Sequence, residues 1–139
     1  MKKYTQEEYD NFEIIDDIKQ CPKGDYTDIN SFGKGCSFGE RCSFGEECSF
    51  GERCSFGEEC SFENGYKSKT INPFIRINNI GSRMDGCYIY DFEKGLYVRS
   101  GCFFDTKEKF IEKVKKVHKG TKFEKQYLLA IEIAETTFN

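Results

Sequence analysis

The 139-residue sequence contains no apolar run long enough to span a membrane. Met1-Lys2-Lys3-Tyr4 runs directly into Gln6-Glu7-Glu8, without the apolar core of a secretory signal. A soluble cytoplasmic protein with reduced thiols is therefore expected. There is one histidine, His118. No P-loop, Rossmann glycine pattern or Ser/His/Asp set occurs, so the chain is expected not to be an enzyme and to need no cofactor.

What the sequence does have is repetition. Cys36-Ser37-Phe38-Gly39-Glu40-Arg41 is followed by the same hexad from Cys42, Cys48 and Cys54, with a decayed copy at Cys60. A period of six is neither the 3.6 of a helix nor the 2 of a plain strand. Cys-Ser-Phe alternates in–out–in, and the Gly-Glu-Arg/Glu that follows makes a corner. Each Gly after Phe is expected to supply the positive φ of that corner. In a shifted frame, Phe38-Gly39-Glu40-Arg41-Cys42-Ser43 matches the hexapeptide of left-handed parallel β-helices, with three hexads per 18-residue coil. The outer position alternates Arg41, Glu47, Arg53, Glu59. An 18-residue coil stacks Arg41 on Glu59, whereas a 12-residue coil would set Arg41 on Arg53.

Tyr26 and Phe32 lie in register before the perfect copies, and Phe62 closes them. Seven hexads over 26–67 make a slab about 10 Å tall at roughly 4.8 Å between stacked strands, too short to stand without caps. The expected fold class is α+β: a short left-handed parallel β-helix (hexapeptide solenoid) over 26–67, capped by residues 1–25 and by a strand and two-helix unit over 68–139. Thr5-Gln6-Glu7-Glu8 is a capping box, and Ile14, Ile15 and Ile18 are expected on the first coil. Phe74–Ile77, Cys87–Tyr90 and Leu96–Arg99 read as strands, with a turn at Glu93-Lys94-Gly95. Ile80-Gly81 echoes a Phe-Gly corner. Asp105 is expected to cap a helix with a Phe110, Val114, Val117 stripe, and Thr121 a second helix with Phe123, Tyr127, Ile131 and Ala134 on its buried face.

The cysteine ladder (Cys36, Cys42, Cys48, Cys54, Cys60) is expected to be core packing. Zinc needs four ligands converging on one point, usually from paired knuckles, and five-residue gaps do not make them. Hexapeptide acyltransferases share only the coil and use a catalytic His, whereas His118 sits near a helix end and is expected to cap carbonyls beside Gly120. The rows Glu40, Glu46, Glu52 and Glu58 could mimic DNA charge. Yet a 10 Å slab spans only about three base-pair steps, and Arg41 and Arg53 dilute its charge.

Residues 107–125 carry eight Lys against three Glu, so nucleic-acid contact through a face including Lys113, Lys115, Lys116 and Lys119 is open beside a solvated role. Ser82, Arg83, Arg99 and Ser100, beside Gly81 and Gly101, suit a carboxylate or phosphate. The alternative is that Arg83 and Arg99 pair with Asp85 or Asp91.

Lys19-Gln20-Cys21-Pro22…Gly24-Asp25-Tyr26, the tandem hexads, Ile80-Gly81-Ser82-Arg83, Arg99-Ser100-Gly101-Cys102-Phe103 and the closing helical hairpin together resemble a family of small proteins from gut-type bacteria and their phages. The resemblance spans essentially the whole chain. It implies an anti-defence or anti-CRISPR inhibitor that binds a host defence protein or a ribonucleoprotein such as a Cas nuclease complex. The alternatives are a sponge for a small nucleotide signal, using Arg83 and Arg99, and a structural phage protein.

Overall fold

The computed structural model describes residues 1–138. The chain divides into two compact units, Met1–Pro73 and Phe74–Asn139.

In the first unit, α1 (Gln6–Asp10) is opened by the Thr5 capping box. Thr5 Oγ1 accepts from the Glu8 amide at 3.1 Å while the Glu8 carboxylate accepts from the Thr5 amide at 3.1 Å. Short strands follow: β1 (Ile14–Ile15), β2 (Ile18–Cys21), β3 (Ser31–Phe32), β4 (Cys36–Phe38), β5 (Ser49–Phe50), β6 (Ser55–Phe56), β7 (Ser61–Phe62) and β8 (Tyr66–Lys67). β3 pairs with β5 and β4 with β6 in parallel, each residue meeting the one 18 positions on. Single bridges add a third column, Asp25 to Ser43 to Ser61. β1 with β2 and β7 with β8 are antiparallel.

The expected fold class is corrected by these pairings. The molecule is mixed α+β, built of several small sheets, and its main sheet is four-stranded and antiparallel. A regular left-handed parallel β-helix is not what the hexads build. A corner at every sixth residue leaves only two or three extended residues per hexad, so parallel pairing stops after two or three residue pairs. Ile14 and Ile15 also depart from expectation. They are turned back in an antiparallel hairpin through Asp16 and Asp17 at positive φ, and are 61% and 48% exposed.

The core of this unit is a ring stack. Tyr26, Phe32, Phe38, Phe44, Phe50, Phe56 and Phe62 are all buried. Rings 18 residues apart lie near parallel: Phe32 on Phe50 at 5.1 Å and 8°, Phe38 on Phe56 at 5.3 Å and 10°. Rings 6 or 12 apart meet edge to face, as Phe38 and Phe44 do at 4.8 Å and 87°. Both geometries suit the ring quadrupole, each pair adding about 0.5–1.5 kcal/mol beyond burial. Tyr4 stacks on Tyr26, and Tyr9 of α1 packs its edge on Phe32, closing one end of the stack.

The corners work differently from expectation. Positive φ falls on Arg41, Glu47, Arg53 and Glu59, the residue before each Cys, and not on the Gly after each Phe. The glycines are needed for space. A Cβ on Gly57 would lie 2.5 Å from the Glu40 amide nitrogen, and one on Gly39 3.0 Å from that of Lys23. Outside, Arg41 Nε donates to Glu59 at 2.9 Å across the 18-residue offset.

In the second unit, β9 (Phe74–Ile80), β10 (Asp85–Phe92), β11 (Gly95–Ser100) and β12 (Phe103–Thr106) form the antiparallel sheet in the order β12-β11-β10-β9. Phe92 pairs with Gly95, so Glu93-Lys94 is the hairpin loop. Ile80 ends β9 and Gly81 opens the turn to β10, so the pair is not a further rung of the repeat. α2 (Lys107–Val117) is capped by Thr106, whose side chain accepts from the Lys109 amide, and not by Asp105. α3 (Lys122–Phe138) follows. Cys87, Ile89 and Val98 of the sheet bury against Phe110, Val114, Tyr127, Ala130, Ile131 and Ala134 of the helices. Among the described residues no helix is long and apolar enough to cross a membrane.

Candidate functional site: a basic cleft between the β9–β10 turn and the first long helix

The alternation of β11 decides which polar residues can meet. Val98 faces the helices, Arg99 the opposite side, and Ser100 the helix side again. Ser100 therefore joins Ser82 and Arg83 from the β9–β10 turn and Lys113 and His118 from α2 and its C-terminal end. With Cys102, Phe103, Phe110, Val114, Val117 and Tyr127 they line a cleft of about 260 Å³. No carboxylate is among its lining residues.

Two glycines build this cleft. Gly81, at φ +79°, lets the turn run against Tyr127; a Cβ there would overlap the Tyr127 hydroxyl. Its amide donates to Gln126 Oε1 at 2.8 Å, tying the turn to α3. Gly101, at φ +59°, leaves room for the Arg83 guanidinium, since a Cβ would lie 2.5 Å from Nη1. Arg83 makes no ion pair among the described residues, so its charge is open to a ligand, and it does not pair with Asp85. The Asp85 carboxylate instead accepts from the Gly86 amide at 2.8 Å. Lys113 Nζ stands 5.1 Å from the Phe103 ring centre. The His118 ring leans on Phe123 at 5.9 Å and Tyr127 at 5.7 Å.

The expected polar group thus divides. Ser82, Arg83, Ser100 and Lys113 converge. Arg99 does not: it is 9% exposed, with its guanidinium carbon 4.2 Å from the Tyr88 ring centre, opposite Tyr88 in the sheet. One pocket using both Arg83 and Arg99 is therefore corrected, because the residue next to an inward-facing Ser100 must face outward from it. Lys116 is exposed on α2 and outside the cleft. Glu40, Glu46, Glu52 and Glu58 are exposed at the repeat corners, in the other unit. Val117, expected in the buried stripe, is 59% exposed at the cleft. His118 is the C-cap residue of α2 and lines the cleft as well. Sequence reasoning set it aside as a capping group, and no short motif links it to Ser82 or Ser100.

The cysteines follow their own pattern. Cys36, Cys42, Cys48 and Cys60 are buried. Cys36 and Cys54 both donate to the Gly33 carbonyl at 3.3 Å, and Cys42 and Cys60 both donate to the Gly39 carbonyl at 3.3 and 3.5 Å. Stacked thiols thus share one acceptor, the weak S–H donor serving as a small apolar side chain with a polar contact. The hydrogen bond to Cys60 and burial push the Cys42 thiol well up. Burial pushes that of Cys87 up to about 12. Among the described residues no group of three His, Cys, Asp or Glu is placed to hold a metal ion.

Compared with known proteins, the chain matches no family model, no curated protein and no solved structure.

Proposed function

We propose that this is a non-enzymatic binding protein that captures a small nucleotide-type anion in the cleft between the β9–β10 turn and α2. In the setting of a phage-type protein, that is an anti-defence sponge. The observation that carries this reading is the convergence of Arg83, Lys113, Ser82 and Ser100 around one cleft with no carboxylate in its lining. Arg83 supplies a planar fork for a phosphate and Lys113 a point charge. The serine hydroxyls donate further hydrogen bonds, and Phe103, Val114 and Val117 offer an apolar floor for a base. The volume is just below the range of about 300–1,000 Å³ that holds drug-sized ligands, which suits one nucleotide unit better than a peptide.

The test is thermal unfolding with a panel of mononucleotides and cyclic oligonucleotides. A ligand present at a hundredfold excess over Kd adds about 2.7 kcal/mol, several degrees in Tm. Arg83→Ala is expected to abolish the shift. No shift with any member of the panel would overturn the reading.

A second reading, direct blockade of a host defence protein or ribonucleoprotein such as a Cas nuclease complex, draws support from the four exposed glutamates, Glu40, Glu46, Glu52 and Glu58, one per hexad. Their charge would act mainly on association rate and specificity. Tagged protein should then retain a nuclease complex from host lysate at modest salt, and Glu→Lys changes along the row should release it.

A further inference from the structure

We infer that the first unit carries a second anion site, separate from the cleft and built on the repeat itself, for a small ligand bearing two adjacent phosphates. The site is the 520 Å³ surface depression lined by Met1, Lys23, Arg41, Ser43, Glu59, Ser61 and Lys67. The repeat brings these residues together. Ser43 and Ser61 are bridged 18 residues apart, with their hydroxyls 3.4 Å from one another. Lys67 arrives on β8 directly opposite Ser61. Glu59 holds Arg41 through Nε alone, at 2.9 Å. That one bond orients the guanidinium and leaves its two terminal nitrogens for a ligand.

Lys23 and Lys67 form no ion pair among the described residues, so three side-chain cations face a single side-chain carboxylate, two positive side-chain charges in excess. A further carboxylate in the same column, Asp25, is turned into its own loop, accepting from the Thr27 amide at 2.9 Å and from the Thr27 hydroxyl at 2.6 Å.

The surroundings select size. Residues 32–62 hold six Glu against Lys34, Arg41 and Arg53, so a long polyanion leaving the depression would meet like charge. A compact diphosphate anion gains the local attraction without that repulsion. Phosphate fits better than a single carboxylate because it offers enough oxygens for the Arg41 fork, two hydroxyls and two ammonium groups at once.

The probe is inorganic pyrophosphate, titrated into isotopically labelled full-length protein at physiological salt and followed by amide NMR. Saturable movement of the Ser43, Ser61 and Lys67 signals is expected, with a Kd at or below about 1 mM from two or more charge-assisted contacts. Lys67→Glu should weaken binding at least tenfold and the milder Lys67→Gln severalfold, each with the remaining spectrum unchanged. Arg83→Gln should leave this binding as it is. The inference is overturned if pyrophosphate moves none of these signals up to 10 mM, roughly ten times the expected Kd. It is equally overturned if Arg83→Gln abolishes the movement, or if only a single-stranded oligonucleotide, and not pyrophosphate, perturbs the site.

Discussion

The two units bury their apolar residues in different ways. Residues 1–73 use one ring at every sixth position, so that Phe44 lies between Tyr26 and Phe62 and touches Phe32, Phe38, Phe50 and Phe56 edge-on. Residues 74–139 use a sheet face and two helices whose residues do not repeat, among them Ile89, Val98, Phe110, Tyr127 and Ala134. In the first unit, equivalent residues meet equivalent neighbours, and the corner residues that face water are free to vary between Arg and Glu. In the second, each contact is particular. That irregularity produces a concave cleft with a distinct set of polar groups, whereas the repeat offers a wall whose sites arise only where its flanks add a residue, as Lys67 does.

The comparison breaks first at the ring stack. Phe44→Ala is expected to cost about 3–5 kcal/mol in urea unfolding, since six ring contacts are lost with a buried side chain. A loss under 1 kcal/mol, small against that range, would mean the stack is not the stabilising feature. The next effect separates repeat position from surroundings. Gly33 and Gly57 both follow an inward Phe, but nothing lies within 4 Å of a Cβ at Gly33, whereas at Gly57 backbone lies 2.5 Å away. Gly57→Ala should cost about 2 kcal/mol and Gly33→Ala almost nothing, because rigid backbone cannot yield. Equal effects in unfolding experiments would show that the repeat position, and not the neighbouring coil, sets the need for glycine.

The smallest effect tests the second unit through pH. The Cys87 thiol is held up to about 12 by burial, against an unfolded value of about 8.5. Its contribution is complete below the unfolded value and is lost as pH rises through the window between the two. Above about pH 8.5 the unfolded chain releases a proton that the folded chain keeps, so this thiol lowers stability by about 1.4 kcal/mol per pH unit. Cys87→Ala should flatten the slope by that amount in unfolding curves taken from pH 8 to 10, and an unchanged slope would show that Cys87 ionises freely in the folded protein.

Local signals in the sequence were readable where one short segment makes the whole feature. The Thr5–Glu8 capping box, the Glu93-Lys94 hairpin loop and the opposition of Arg41 and Glu59 each depend on a fixed offset. Neighbouring alternatives were harder to rank: Thr106 and Asp105 are both good caps, and the backbone path from β12 selects Thr106. The glycines of the hexads were legible as necessary but not for the right reason, since the approach of backbone 17 residues away has no local mark. In the cleft, Ser82, Arg83, Ser100 and Lys113 stood out as residue types. Their separation from Arg99 came from strand register, and the recruitment of His118 and Tyr127 from helix packing.

By itself the sequence determined that Phe and Cys of each hexad turn inward, that Glu and Arg turn outward, and that the C-terminal half folds as strands followed by two amphipathic helices. These follow from period and polarity, which act residue by residue. The tertiary structure alone decided that the hexads pair only in two- and three-residue pieces, that the main sheet is antiparallel, and which charged groups share a cavity. Those outcomes depend on where distant backbone segments come within a few ångströms of each other, and burial pattern along one chain does not encode that distance.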